Sequence, residues 1–331
     1  MKASLGRIFK SKNSALFVFL IAILLFFSIV SEGSFISVVN IRSILGSTAI
    51  VGLLSIGASF VIISGQIDLS AGYVGTFCGI LTAYLIVNVG WPWYIAVLCS
   101  LACAIVIGFV NASLVNKLGF QSFIATLAMG SVCEGLTYVV NGGRTITIKD
   151  PVFTSIGTAR FFNNLVPSTL LFTIAALIIY GIILSRTRFG RKLFLIGGNP
   201  TAARLAGLSP TTISYIVFVN NAMLSCIAGC LVASRIMSGN TVGITAQNFS
   251  GITAAILGGV TFSGGGGSVS GIIVGLLIIS SFSNGLTVMR VEPHWIQVAS
   301  GVLLVFALTL DYIFKKGFRF RSNSKKAKTT V

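Results

Sequence analysis

The chain of 331 residues is 55% hydrophobic and 9% charged, and it carries a net charge of +17. Soluble domains usually have about 25% charged residues, so this composition excludes a soluble protein and predicts a polytopic membrane protein. The positive charge does not indicate a nucleic-acid-binding protein, because the Lys and Arg residues occur mainly in the short connections between apolar runs, where membrane insertion places them.

Apolar runs along the chain predict ten transmembrane helices, since about 20 residues are needed to cross a bilayer. In chain order they lie near Ala15–Val30, Ile44–Ser64, Leu69–Val89, Trp93–Val115, Phe120–Val140, Pro167–Leu184, Ile213–Ile236, Gly251–Phe262, Ser268–Leu286 and Trp295–Tyr312, and the eighth is short. An even number of spans returns both termini to one side, which the positive-inside rule places in the cytoplasm. Bases also precede the first span, at Lys2, Arg7 and Lys10. We therefore predict an all-α polytopic membrane protein, with one transmembrane domain over residues 1–331 and a basic cytoplasmic tail at 315–331.

The longest predicted inner loop, residues 185–214, contains a candidate docking helix. Asn199 is a favourable N-cap residue, Pro200 suits a first helical turn, and Gly207 suits a helix end. Three alanines, Ala202, Ala203 and Ala206, are expected to line one face and allow close approach to a partner. The alternative interpretation is an ordinary basic loop that obeys the positive-inside rule.

Polar residues inside the apolar runs are the candidates for a transport path. Asp68 and Ser70 follow Gly65, which interrupts a span, and a buried carboxylate in a membrane is expensive. Either side chain could cap the next helix, or Asp68 could act in gating or substrate contact; a broken helix at membrane depth predicts a watery cavity beside it. The other candidates either contact solute or bridge helices, and they are Asn111, Asn220, Asn221, Asn284 and a second carboxylate, Glu134.

No motif in this chain supports nucleotide or metal chemistry. The glycine-rich stretch from Gly258 to Ser268 lacks the lysine that a P-loop requires, so it is interpreted as a tight connection between two spans. The six cysteines all lie in apolar runs and are interpreted as packing residues. His294 is the only histidine, and one histidine does not make a metal site or a nucleophile constellation. Any ATP that drives this protein is expected to be hydrolysed by another chain.

Four stretches resemble the permease subunits of bacterial ABC importers for simple sugars, the ribose, galactose, galactofuranose and autoinducer-2 type. They are SGQIDLSAG (Ser64–Gly72), FIATLAMG (Phe123–Gly130), RTRFGRKLFLIGGNPTAARLAGL (Arg186–Leu208) and AAILGGVTFSGGGGSVSGIIVGLL (Ala254–Leu277). The usual forms of the first three are SGGIDLSVG, FIATLG and RFGRxxYAIGGNxxAARLSGI. The resemblance runs in order across almost the whole chain.

The resemblance implies a non-catalytic subunit of the bacterial inner membrane, paired with a second copy or a paralogous permease. Its implied partners are an ATPase subunit that holds ATP and Mg, a periplasmic solute-binding protein and membrane lipid, with no metal or cofactor in this chain and no nucleic acid. A short cytoplasmic coupling helix would contact the ATPase through Gly197, Gly198, Asn199, Ala202, Ala203, Arg204 and Gly207. The implied path or gate comprises Asp68, Ser70, Asn111, Glu134, Asn220, Asn221 and Asn284.

Two departures from the family pattern leave the solute open. Glu134 stands where related permeases commonly carry arginine, and Gln247 and Asn248 stand where the family usually reads ELDAIAA. The alternatives to a monosaccharide permease are an ABC permease for a nucleoside, an ion-coupled secondary transporter that uses Asp68 and Glu134, and a structural membrane subunit.

Overall fold

The computed structural model describes residues 12–327, and this part of the chain is mostly helical. The α-helices are α1 (Lys12–Val30), α2 (Val38–Ile63), α3 (Ala71–Val87), α4 (Trp93–Asn116), α5 (Ser122–Asn141), α6 (Pro151–Thr158), α7 (Ser168–Arg186), α8 (Arg188–Gly198), α9 (Pro200–Leu205), α10 (Pro210–Arg235), α11 (Gln247–Leu257), α12 (Val269–Val288) and α13 (Pro293–Ala327). A 3₁₀ turn, Ser34–Ile36, precedes α2.

Two pairs of short antiparallel strands lie in the connections between helices. Strand β1 (Ile146–Thr147) pairs with β4 (Ser238–Gly239) in antiparallel register, with Ile146 opposite Gly239. Strands β2 (Arg160–Phe161) and β3 (Val166–Pro167) form a small antiparallel hairpin between α6 and α7. The β1–β4 pair therefore joins the segments that follow α5 and α10.

Six helices in the described residues are long and apolar enough to cross a membrane: α2, α4, α5, α7, α10 and α12. Three further apolar helices are shorter, at Leu16–Val30, Ala71–Val87 and Pro293–Thr309. These nine and the short α11 correspond in order to the ten apolar runs of the sequence. An all-α polytopic membrane protein is therefore the observed architecture.

The most buried helices are α2 and α10, which pack against each other and lie at the centre of the molecule. From Gly46 onward almost every residue of α2 is buried, because the helix is apolar or small on all sides and contacts α7, α10, α11 and α12. A helix that is apolar all round is expected in such a position. Helix α10 packs in turn on α3 and α4.

Glycines allow α3 and α10 to cross with their backbones in contact. A Cβ atom added to Gly229 would lie 1.8 Å from the carbonyl oxygen of Gly75. Four of the cysteines, Cys78, Cys133, Cys226 and Cys230, are buried beside this crossing in an apolar cluster, as packing residues would be.

Several helix boundaries differ from the sequence-based expectation. Helix α2 begins at Val38 rather than near Ile44, because Ser37 accepts a hydrogen bond from the backbone N–H of Asn40 and caps it. Helix α11 ends at Leu257 rather than Phe262, since Gly258 follows and Gly259 has a φ of +87°.

The predicted basic tail is helical where the structure describes it, because α13 continues to Ala327. Residues 328–331 of the tail, with the predicted cytoplasmic bases Lys2, Arg7 and Lys10, lie outside the described residues.

Candidate functional site

The connection between α2 and α3, residues Ser64–Ser70, is called the broken connection below. Helix α2 stops where Gly65 adopts a φ of +83°, which only glycine tolerates easily. Helix α3 does not begin until Ala71, and Asp68 between them is only 4% exposed. A helix break therefore places a carboxylate in the interior of the helical bundle.

Asp68 is held entirely by hydrogen bonds from neutral donors. Its Oδ1 accepts the backbone N–H of Ser70 at 2.8 Å and the Ser70 hydroxyl at 2.6 Å. Its Oδ2 accepts the side-chain amide of Asn221, on α10, at 2.9 Å. The side-chain amide of Asn111, on α4, donates to Ser70 Oγ at 3.0 Å. Four of the seven predicted path residues thus form one buried network.

Two amide oxygens of this network have no hydrogen-bond partner among the described residues. They are Asn111 Oδ1 and Asn221 Oδ1, and both side chains are buried. The Asn221 oxygen lies against α2, where a Cβ atom on Gly57 would come within 2.1 Å of it. Buried polar atoms usually have a partner, so these two oxygens are acceptors available to a donor.

The backbone of the broken connection is held by α5. The N–H of Ile67 donates to Ser122 Oγ and that of Leu69 donates to Thr126 Oγ1, both at 3.0 Å. Irregular backbone inside a membrane protein must be satisfied by neighbouring protein groups. Ser122 and Thr126 were missed in the sequence analysis, although Thr126 lies within the FIATLAMG stretch.

The first turn of α3 is capped from another helix. Asn248, near the start of α11, accepts the Gly72 N–H at 3.2 Å and donates to the Leu69 carbonyl at 2.9 Å. Ser70 occupies the N-cap position of α3, but its side chain accepts no N–H group of this helix. Asp68 accepts the N–H of Ser70 and none from the first turn of α3. Asn248 therefore performs the capping that the sequence analysis considered for Asp68 or Ser70. In the sequence, Asn248 is marked only by its place in a stretch that departs from the usual family form ELDAIAA.

Three predicted path residues lie outside the Asp68 network. Asn220 is paired with the Tyr180 hydroxyl, Glu134 is exposed on α5, and Asn284 is buried on α12 with no partner in the described residues for its Oδ1. No described hydrogen bond connects any of the three to Asp68. The two carboxylates Asp68 and Glu134 are thus not a pair.

The segment that follows α7 contains two helices. The sequence pattern predicts a loop over residues 186–198, but α8 spans Arg188–Gly198. It buries Leu193, Ile196 and Gly197, while Arg191 and Lys192 are exposed. Its N-cap residue Thr187 accepts the Gly190 N–H at 3.2 Å. The apolar and basic residues alternate with a helical period, which is the signal that was overlooked.

The predicted coupling helix is α9, and its ends are as expected. Asn199 caps it by accepting the Ala202 N–H at 3.0 Å, Pro200 is its first residue, and Gly207 follows it with a φ of +78°. Ala203 is buried against the chain itself, so only two of the three predicted alanines are accessible to a partner. Ala202, Arg204 and Ala206 are exposed, and Leu205, which the sequence analysis did not single out, is 87% exposed.

The glycine-rich stretch from Gly258 to Ser268 connects α11 to α12, as expected. It is folded back against the end of α2, where the Gly265 N–H donates to the Ile63 carbonyl at 2.9 Å. The same carbonyl lies beside Gly197, the penultimate residue of α8. The end of α8, which directly precedes α9, therefore lies against the end of α2 through backbone atoms.

Comparisons with known proteins identify the family of this chain. A family described as "Branched-chain amino acid transport system / permease component" matches residues 40–308. The L-arabinose transport system permease protein AraH of Escherichia coli (strain K12) is 32% identical over 286 residues, which cover 86% of each chain.

Two further relatives have similar coverage. The ribose import permease protein RbsC of Bacillus subtilis (strain 168) is 33% identical over 84% of this chain and 86% of that protein. The fructose import permease protein FrcC of Rhizobium meliloti is 28% identical over 90% of this chain and 85% of that protein. The chain therefore belongs to the branched-chain amino acid transport system / permease component family, and it is a multi-pass, non-catalytic permease subunit of an ABC importer in the inner membrane.

Proposed function

We propose that this chain forms the translocation path for a monosaccharide or a similar small polar solute. The relatives at 28–33% identity over most of the chain transport arabinose, ribose and fructose by their names. The buried network around Asp68 contains two oxygens without a partner among the described residues, those of Asn111 and Asn221. Hydrogen-bonding groups of this kind suit the hydroxyls of a sugar.

The observation that carries the proposal is the exposed coupling helix α9. This capped helix buries only Ala203 within the described residues, and it presents an 87% exposed leucine beside an exposed arginine. Leu205 and Arg204 are suited to docking in a groove of a separate ATPase subunit, which would bind and hydrolyse ATP with Mg. A secondary transporter has no need of such a helix.

The remaining assembly follows from the same proposal. The ten apolar helices cross the inner membrane with both termini in the cytoplasm, on the side of α9. A second copy of the chain, or a paralogous permease, completes the channel, and a periplasmic solute-binding protein delivers the solute to the opposite face. Glu134, Asn220 and Asn284 contribute to the path away from the Asp68 network.

Reversal of the charge at Arg204 tests the docking. We expect Arg204→Glu to lower the amount of ATPase subunit that co-purifies with the permease by about tenfold or more, because a misplaced charge at an interface costs several kcal/mol. Sugar uptake falls in parallel. Lys149→Glu is the control, since Lys149 is an exposed base in the connection between α5 and α6, which the predicted topology places on the opposite side of the membrane from α9. Equal ATPase recovery and uptake for the two variants would contradict the assignment of α9.

The energy source separates this proposal from ion-coupled transport. In proteoliposomes that contain the permease, the ATPase and the binding protein, we expect sugar uptake to require ATP and to be unchanged by a protonophore. Asp68 and Glu134 are not linked by any described hydrogen bond, and Asp68 is already held by three neutral donors. Uptake that persists without ATP and stops with the protonophore would favour the secondary transporter. ATP-driven uptake of nucleosides in place of sugars would assign the other solute class.

A further inference from the structure

The coupling helix α9 is flanked by two contacts that both reach the broken connection. We define the coupling segment as residues 188–214, which contain α8, α9 and the first residues of α10. One contact precedes α9 in the chain and involves Gly197, and the other follows it and involves Ser214. Both meet residues at the beginning of the Ser64–Ser70 stretch.

The contact before α9 is made by backbone atoms alone. A Cβ atom added to Gly197 would lie 1.7 Å from the Ile63 carbonyl oxygen and 2.7 Å from the Gly265 nitrogen. A Cβ atom on Gly264 would lie 2.7 Å from the Gly197 carbonyl oxygen and 2.8 Å from Gly65 Cα. We call these five residues, Ile63, Gly65, Gly197, Gly264 and Gly265, the glycine junction. Because no flexible side chain separates the three backbones, a displacement of one is passed directly to the others.

The contact after α9 is a short chain of side-chain hydrogen bonds. The Ser214 hydroxyl, on the first turns of α10, donates to Gln66 Oε1 at 2.9 Å. The side-chain amide of Asn116, at the end of α4, donates to the same hydroxyl at 2.8 Å. Gln66 lies one residue beyond the glycine junction and two residues before Asp68. The coupling segment thus holds the broken connection at two adjacent positions.

Helix α8, which precedes α9, is packed more extensively against the rest of the protein than α9. Helix α8 buries Leu193 and Ile196, and its Phe189 ring stacks on Phe60 of α2 with centroids 6.4 Å apart. Helix α9 buries only Ala203. A force on the exposed α9 therefore acts through its two ends, which are the contacts to Gly65 and Gln66.

We propose that Gly197 and Gln66 are positioning residues that transmit the displacement of α9 to the Asp68 network. This inference rests on the proposed function, because it assumes that an ATPase moves α9. Movement of Gln66 is passed to Asp68 through the intervening Ile67, whose N–H is held by Ser122 of α5. The acceptors of the network then change position when the ATPase closes.

The test compares two glycines. Gly197→Ala inserts a methyl group into the glycine junction, whereas Gly301→Ala, on α13 and far from the coupling segment in the chain, adds one where nothing lies within 4 Å. The measurement is the number of sugar molecules imported per ATP hydrolysed in proteoliposomes with the ATPase and the binding protein. We expect this ratio to fall about fivefold or more for Gly197→Ala, which is the lower range of coupling between distant sites, and to be unchanged for Gly301→Ala.

A second variant keeps the test valid if Gly197→Ala does not fold. Gln66→Ala removes one acceptor without adding atoms, and Ser214 keeps its bond from Asn116. We expect Gln66→Ala to lower the sugar-to-ATP ratio while the amount of bound ATPase stays the same. The control is Gln121→Ala, an exposed glutamine just before α5.

The outcomes separate the inference from the proposed function. The positioning role is overturned if Gln66→Ala imports as many sugar molecules per ATP as the wild type. It is also overturned if the variant loses bound ATPase while this number stays unchanged. In both cases the proposal of sugar transport stands. If the wild-type assembly itself binds no ATPase and imports no sugar, the proposed function fails instead.

Discussion

Asp68→Ala is expected to abolish solute uptake and to lower the yield of folded protein. The substitution leaves the Ser70 N–H, the Ser70 hydroxyl and the Asn221 amide without their present acceptor inside the bundle. A buried donor that loses its partner costs about 1–3 kcal/mol, so the combined loss is a large fraction of a typical stability of about 5–15 kcal/mol. Uptake in cells and thermal unfolding of the protein in detergent are the two measurements.

Two companion variants identify what Asp68 contributes. Asp68→Asn retains an acceptor for Ser70, and an inverted Asn221 amide could accept from the new amide, so we expect a folded protein with reduced uptake. Asp150→Ala removes a carboxylate that caps α6 by accepting the Phe153 N–H at 2.8 Å. Loss of such a cap costs about 1 kcal/mol and should leave uptake near the wild-type value. If Asp68→Ala transports as well as Asp150→Ala, Asp68 has no part in the path.

Gly229→Leu is expected to prevent stable folding of the helical bundle. Even a single Cβ atom at this position would lie 1.8 Å from the Gly75 carbonyl oxygen and 2.6 Å from its carbonyl carbon. Backbone atoms of α3 cannot rotate away as a side chain could, so α3 and α10 must separate. Overpacking typically costs about 1–3 kcal/mol, and here it also exposes the cysteine cluster beside the crossing. The expected result is a strongly lowered melting temperature or no monodisperse protein.

The matched control is Gly301→Leu on α13. Nothing lies within 4 Å of a Cβ atom at Gly301, and the residue is exposed. Because glycine costs about 1 kcal/mol relative to alanine inside a helix, this substitution should leave the melting temperature equal or slightly higher. Equal melting temperatures for the two leucine variants would show that the close crossing of α3 and α10 is not required.

Local signals in the sequence predicted most of the helices, including the short helix α9. Apolar runs marked the positions of the spans, and Asn199, Pro200 and Gly207 marked the ends of α9. These features depend on neighbours within a few residues, so they can be read without knowledge of the fold. The helix α8 has the same kind of signal in its spacing of Leu193 and Ile196, but the bases around them led to a loop interpretation.

The arrangement of the candidate site required the tertiary structure. Asp68 was recognised as an unusual carboxylate, but its donor Asn221 is 153 positions away in the chain. Asn248 caps α3 from 176 positions away, and the sequence does not indicate that α11 begins beside α3. Asn220 and Asn221 are adjacent, yet they point to different partners. Which polar residues meet is decided by helix packing.

By itself, the sequence determined that this protein is a helical membrane protein and that a short capped helix lies between Asn199 and Gly207, because span length and helix ends are encoded locally; its resemblance to sugar permeases indicated the role. The tertiary structure decided that Asp68, Ser70, Asn111 and Asn221 form one network and that Glu134 does not join it. It also decided that Gly197 meets Ile63 and Gly265. Such contacts arise from the close approach of backbones far apart in the chain, which glycine permits but does not specify.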